Sequence, residues 1–265
     1  SCTFSCCPKY SYVPVRGNKR LISDKEYSTD REFADSSPNA SSGNEEKLPS
    51  LDASGIAEYI RFDCCPRYFK LKFEGAAENG RKWLEAFKPI SPLLYGAGKA
   101  LEEKKVAELR DKALQYFDLS HLNPRNMERE KACEDAFSVL KETLRCEFSR
   151  KKDESVPILF YQVPMSGHIG VWDVNGVADL IAVWPCKDGK VRVRIFEIKS
   201  SWKEQTAHRI QVAIYKLLLS KGLGDLEKNV EFEGGVINKD SDLNDLAPDC
   251  LPKFKLGPLV QDVER

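Results

Sequence analysis

The sequence is short of the features that would place it at a glance. No run of about 20 apolar residues is present, so nothing in it reads as a membrane span. No charged region followed by an apolar stretch opens the chain, so no secretory signal is read and an intracellular setting is expected. Net charge is absent too, with 41 Lys and Arg against 41 Asp and Glu. A globally basic glove for nucleic acid is thereby excluded, because the summed field exerts no long-range pull on a polyanion. Any such contact must come from local basic stretches, of which Arg16–Arg20, Lys104–Arg110 and Arg145–Lys152 are the candidates. A C-x-x-C pair is missing among the nine cysteines, and an odd, scattered set suits free thiols in a reducing compartment. Cys2, Cys6, Cys7, Cys64 and Cys65 match a zinc or iron–sulfur pattern only loosely. There is no internal repeat and no regular βαβ alternation.

What is there is enough chain, 265 residues, for one good-sized core or one core with a smaller lobe. Residues 1–50 read as an extension, partly flexible: Ser36–Asn44 is polar and has too little apolar surface to fold alone. A first helix is expected from Asp52 or Ser54, either of which can cap it, with Ile56, Tyr59 and Ile60 as its apolar side. Apolar spacing predicts a long helix over Leu93–Phe117, through Leu101, Val106, Leu109 and Ala113. Another is expected over Met127–Arg150, through Ala132, Ala136, Val139, Leu140 and Leu144.

The character then turns to sheet. Val156–Pro164 and His168–Val174 read as strands, Asn175-Gly176 as a tight turn, and Val177–Trp184 as a third strand. Asp188-Gly189 reads as a hairpin turn leading into a fourth strand that ends at Ile198. A helix over Lys203–Ser220 carries Ile210, Ala213, Ile214 and Leu217 at helical spacing, and Val230–Ile237 offers one more strand. The expected fold is α/β (α+β): a central mixed sheet flanked by helices, with an additional helical lobe. One domain is expected over residues 51–265, with a helical part at 51–152, a sheet core at 153–240 and a C-terminal tail at 241–265.

Three charged residues in this frame can carry chemistry together. On a strand alternate side chains share a face, so Glu197 and Lys199 point one way and Ile198 the other. Asp179 sits in the apolar run Ala178-Asp-Leu-Ile181, where a lone buried carboxylate is costly and needs a partner or a ligand. The hairpin at Asp188-Gly189 brings Asp179 and Glu197 close, and two such carboxylates repel unless a cation lies between them. Oxygen donors of this kind suit Mg²⁺ or Mn²⁺. Glu102, on the long helix, is a candidate for the same metal. Gln211 and Tyr215 lie one helical turn apart at the edge of the apolar stripe. His208 suits a phosphate contact better than a metal, and Lys203 and Arg209 beside it are candidate nucleic-acid contacts.

The ordered set Ser54…Tyr59…Cys65-Pro-Arg67, Gly98-x-x-x-Glu102, Gly176-Val-Ala-Asp179, Ile195-Phe-Glu-Ile-Lys-Ser-Ser201 and Gln211-x-x-x-Tyr215 resembles the PD-(D/E)xK nuclease superfamily. The likeness is strongest to its RecB-like branch, and it covers roughly residues 50–240. It implies a restriction-endonuclease-like core. It also implies a Mg²⁺- or Mn²⁺-dependent deoxyribonuclease, with Asp179, Glu197, the Ile198 carbonyl and Glu102 on the metal. By the same likeness Lys199 orients the water or offsets developing charge, while Gln211 and Tyr215 position the DNA strand. The implied substrate is DNA ends, single-stranded or duplex, and the implied partner a helicase or other domain. Many relatives hold an iron–sulfur cluster on one Cys before the core and three after it. Cys65 matches the first, but only Cys250 follows Tyr215, so no cluster is expected. The alternatives to a nuclease are a non-catalytic nucleic-acid-binding module of a larger assembly and an interaction module built around the N-terminal cysteines.

Overall fold

The computed structural model describes residues 50–61, 64, 92–122, 128–148, 155–186, 189–201 and 204–264. The chain divides into two units, Ser1–Glu45 and Glu46–Arg265, and every described residue belongs to the second. The stretches Arg16–Arg20 and Ser36–Asn44, the cysteines Cys2, Cys6, Cys7 and Cys65, and Lys203 and Asp188 lie outside the described residues.

The described elements run β1 (Ser50–Asp52), α1 (Ala53–Arg61), α2 (Pro92–Arg110), β2 (Gln115–Asp118), α3 (Arg129–Phe148), β3 (Ile158–Ile169), β4 (Trp172–Pro185), β5 (Val191–Ile198), α4 (Thr206–Leu223), β6 (Val230–Ile237) and α5 (Gly257–Glu264). Short 3₁₀ turns at Ser120–Leu122 and Gly224–Asn229 join them. The six strands form one mixed sheet in the order β2-β3-β4-β5-β6, with β1 added to β4. The central β3–β4 and β4–β5 pairs are antiparallel, whereas β2, β6 and β1 join in parallel.

Alternation along β4 and β5 gives each face of the sheet its own core. Ile181, Val183, Val193 and Ile195 meet α1, α3 and α4 on one face. Leu180, Ala182, Trp184, Phe196 and Ile198 meet Val106 and Leu109 of α2 on the other. Helix α4 is buried around most of its circumference, because α1, α3 and α5 lie against it as well as the sheet.

Four expectations change. First, Asn175-Gly176 is no turn but lies inside β4; the hairpin is the two-residue Gly170-Val171 link between paired Ile169 and Trp172, with Gly170 at φ +59°. The Asn-Gly signal is overridden because Asn175 gives its amide to Ser50 Oγ (2.6 Å) and the Leu51 carbonyl (3.1 Å), anchoring β1. Gly176 is needed for a close approach instead: a Cβ there would lie 2.6 Å from Tyr215 Cε1. Second, the long helix stops at Arg110, and residues 115–118 form β2, where Phe117 stacks on Phe160 at 4.9 Å between ring centroids. Two aromatic residues at a sheet edge favour strand over helix. Third, α1 is capped by Asp52, whose Oδ1 accepts from Gly55 N at 2.7 Å, but it buries Ala53, Gly55 and Ala57 while Ile56 and Ile60 are only partly covered.

Fourth, residues 241–251, within the stretch expected as a C-terminal tail, form one wall of the second core, with Leu243, Leu246 and Leu251 buried, while Phe254 and Leu256 pack on the first. Side chains hold that segment by its carbonyls. Lys105 Nζ donates to Ser241 O (2.8 Å), Lys112 Nζ to Leu243 O (2.6 Å) and Trp184 Nε1 to Leu246 O (3.1 Å). Arg194, fully buried, donates to Pro248 O (2.7 Å), Leu251 O (3.1 Å) and the Glu233 carboxylate, and lies over the Trp184 ring at 5.3 Å. A buried guanidinium is tolerable only with its donors matched in this way.

The close approach at Gly176 is testable. Gly176→Ala should destabilise the domain by about 1–3 kcal/mol, the usual cost of overpacking, read as a lower midpoint of urea unfolding. An unchanged midpoint would show that Tyr215 is free to retreat.

Candidate functional site

The site arises where β4 loses its neighbours. On the edge away from β3, β1 pairs with Asp173–Asn175 and β5 with Leu180–Pro185, so residues 176–179 have no strand partner there. On the β3 edge the pairs Tyr161↔Leu180 and Val163↔Ala178 flank Asp179, and Gln162, opposite it in register, is not paired. Asp179 thus sits at a break in the ladder on both sides. Its Oδ2 accepts from the Ile198 backbone N–H at 2.8 Å, in place of a β4 carbonyl. A strand residue's N–H and C=O project the same lateral way, so the Ile198 carbonyl faces the same gap.

One step beyond the last β4–β5 pair, Leu180↔Phe196, register sets Asp179 across from Glu197, near enough for the charge of Glu197 to act on Asp179. Glu197 is only 1% exposed. One of its oxygens, Oε1, is ion-paired to Lys199 Nζ, while the other, Oε2, is buried and has no hydrogen-bond partner. Gln211 lies close enough to favour the charged carboxylate, but its hydrogen bond of normal geometry goes to Tyr215 Oη at 2.8 Å. Burial pushes the Asp179 carboxyl well above the usual carboxylate range, and repulsion from Glu197 adds to it; Lys199 and the Ile198 N–H offset only part. Burial raises Glu197 as well, against the opposing pull of Lys199. For Lys199 burial alone would lower the pKa, but Glu197, Asp179 and Glu102 together outweigh it, so the ammonium holds its proton more firmly than usual.

Glu102 approaches from α2. Gly98, one turn before it, comes close to Ser200, whose Oγ would stand 3.7 Å from a Cβ at that position. Glu102 Oε1 accepts from Tyr161 Oη and from Gln162 Nε2, both at 2.9 Å. Its charge raises Asp179, Glu197 and Lys199, which puts all four groups in one electrostatic neighbourhood. Burial and then Glu102 raise the Tyr161 phenol, which keeps it a donor.

The remaining expected residues are placed as follows. Tyr215 is 2% exposed and Gln211 8%; the pair backs the carboxylates from beneath and does not line an open surface. Burial, then Glu197 and Asp179, raise Tyr215 well above its ordinary value, which marks its hydroxyl as a neighbour of both. His208 is half-buried and its Nδ1 accepts from Gln205 N at 3.3 Å, across the first turn of α4. Burial lowers it to about 4, helped by the positive charges of Lys199 and Arg61, so near neutrality it is an uncharged ring with its proton on Nε2. Arg209 is bound to Glu204 (2.6 and 3.0 Å) and lies over the Phe254 ring at 5.2 Å. None of the described cysteines is in a disulfide.

The expected metal ligands are not gathered into one set. Among the described residues no group of three His, Cys, Asp or Glu side chains is placed to hold a metal ion. Glu102 gives Oε1 to Tyr161 and Gln162, and the pair brought opposite one another in register is Asp179 and Glu197. That pair does fit a hard cation by its chemistry: two repelling, mostly buried carboxylates, one oxygen without a partner, and a backbone carbonyl facing the same gap. Sequence reasoning missed Tyr161 and Gln162. Nothing in Phe160-Tyr-Gln-Val163 signals a break in a strand, since the usual markers are Gly, Asn or Pro.

No family model matches this chain, and no curated protein does. Among solved structures, one similar chain is described as the crystal structure of SSO0001, at 16% identity over 62% of this chain and 81% of that chain, with a TM-score of 0.21. Among the described residues no helix is long and apolar enough to cross a membrane.

A raised carboxyl pKa means that the folded state binds the proton more tightly than the unfolded one. Stability therefore falls as pH rises from the ordinary carboxylate value through the raised one. Asp179→Asn removes that slope. In EDTA the variant's thermal midpoint should match wild type in acid and exceed it increasingly toward neutral pH; a difference that stays constant with pH would overturn the repulsion.

Proposed function

We propose that the protein is a metal-dependent deoxyribonuclease with a restriction-endonuclease-like core. The observation that carries this reading is the facing pair of Asp179 and Glu197 at a break in the sheet, with Lys199 beside them and Glu197 Oε2 left without a partner. A structural carboxylate in a core has its hydrogen bonds satisfied; this one has a deficit of positive charge facing it. The resemblance of the ordered motifs to RecB-like nucleases supplies DNA, and DNA ends in particular, as the substrate, and a helicase or further domain as the partner.

Asp179, Glu197 and the Ile198 carbonyl would hold Mg²⁺ or Mn²⁺, and two carboxylates suffice for an ion that keeps waters and takes substrate oxygens for the rest. When bound, the cation supplies Lewis-acid polarisation of the phosphate and a water of lowered pKa. The protein's own residues do the remainder. Lys199 Nζ would orient the attacking water or donate to a phosphate oxygen, where charge accumulates in the transition state. Glu197 Oε1 holds that ammonium in position. Tyr215 and Gln211 brace the carboxylates from below, and Tyr215 needs Gly176 to fit. His208 offers a neutral Nε2–H at the rim, suited to a backbone phosphate.

The test is incubation of end-labelled single- and double-stranded DNA, linear and circular, with Mg²⁺, Mn²⁺ or EDTA. Wild type should cleave only with metal and spare circles, while Lys199→Ala and Asp179→Ala should lose cleavage by on the order of 10²–10³-fold or more, with folding intact by circular dichroism. Equal metal-dependent cleavage by all three proteins would refute the assignment. Calorimetry separates a binding-only module, which would show no Mn²⁺ site that disappears in Glu197→Ala.

A further inference from the structure

Gln162 is the one described residue inside a strand, glycines apart, with a left-handed backbone, at φ +54°. Such a conformation is uncommon away from glycine and asparagine and stores strain. It falls at the register position of Asp179, where the β3–β4 ladder is interrupted. There is no extra residue here: the pairs on both sides, Tyr161↔Leu180 and Val163↔Ala178, keep the same register. The break is therefore no ordinary bulge. What it changes is direction. Consecutive strand residues project to opposite faces, yet Tyr161 Oη and Gln162 Nε2 both reach the same atom, Glu102 Oε1, at 2.9 Å each. An extended backbone at Gln162 would turn its amide away from the side that Tyr161 occupies. The left-handed turn brings it back, and two neighbouring residues close on one carboxylate oxygen.

We infer that Gln162 is a positioning residue for the proposed metal site: with Tyr161 it holds Glu102 by Oε1 so that Oε2 is presented to the Asp179–Glu197 gap. This rests on the reading of that gap as a cation site. The clamp takes only one oxygen, so it orients the carboxylate without consuming it. Glu102 then acts through an ordered water or as a late ligand, which agrees with its not completing a group of three as the side chains stand. Hydrogen-bond donors behind an oxygen ligand fix its orientation and commonly control metal affinity.

Two substitutions separate this role from a structural one. Gln162→Gly removes the amide while suiting the left-handed backbone better than Gln does. Tyr161→Phe removes the other donor and leaves the backbone untouched. If the clamp only stabilises the strand, Tyr161→Phe should unfold more easily than wild type, and both variants should bind Mn²⁺ as tightly as wild type does. If it positions Glu102, both variants should keep or raise their thermal midpoint, or lose little of it, while Mn²⁺ affinity by calorimetry falls by roughly 10-fold or more. In the cleavage assay kcat should fall with KM for DNA little changed. Wild-type binding of Mn²⁺ with both variants indistinguishable from it would overturn this inference and leave the proposed function standing. No Mn²⁺ binding by wild type would overturn the proposed function and this inference with it. Should Gln162→Gly fail to fold, Tyr161→Phe decides between the same outcomes.

Discussion

The hydrogen bond from the Ile198 backbone N–H to Asp179 Oδ2, 2.8 Å long, stands where an interstrand bond from β5 to β4 would otherwise form. Because a side chain takes that donor, the two strands are not bonded past Leu180↔Phe196, and the sheet opens into the stretch of β4 between β5 and β1. The Ile198 donor is satisfied within the opening. The same bond fixes Asp179 facing Glu197. One replacement of backbone by side chain thus creates the gap and places one of the carboxylates that line it.

Charge then decides what the gap can accept. Among the described residues, three carboxylates, Asp179, Glu197 and Glu102, share a neighbourhood with one ammonium, that of Lys199. The ammonium is committed to Glu197 Oε1, and Gln211 gives its hydrogen bond to Tyr215. The His208 imidazole is held uncharged by burial and by the positive charges of Lys199 and Arg61. The balance is negative and buried, and proteins seldom leave such a balance without a cation or a proton to relieve it.

Much of this was legible in the sequence, and the reasons differ from part to part. Strands β5 and β6 were readable to their ends because Val191-Arg-Val-Arg194 and Val230-Glu-Phe-Glu233 alternate apolar and charged residues at the period of a strand. Asp179 stood out because a carboxylate in an apolar run demands a partner. The Asn175-Gly176 signal misled because turn propensity is local, whereas the Tyr215 ring that occupies the space above Gly176 arrives from 39 positions later in the chain, the difference of the two residue numbers. The end of α2 was misplaced because apolar spacing at Ala113 suits either state, and only the presence of β3 as a neighbour makes Tyr116 and Phe117 a strand. Gln162 was invisible because its conformation is imposed by what surrounds it and not by its own preference.

The way residues 241–251 are held has a consequence for variation along the chain. Lysine, tryptophan and arginine side chains of the domain grip this segment by main-chain oxygens, which every amino acid possesses. Apart from three inward leucines, what the segment spells matters little to its grip. Where each oxygen falls matters a great deal. The loop can therefore drift in spelling across generations, but adding or deleting one position would put every later oxygen out of reach of its donor.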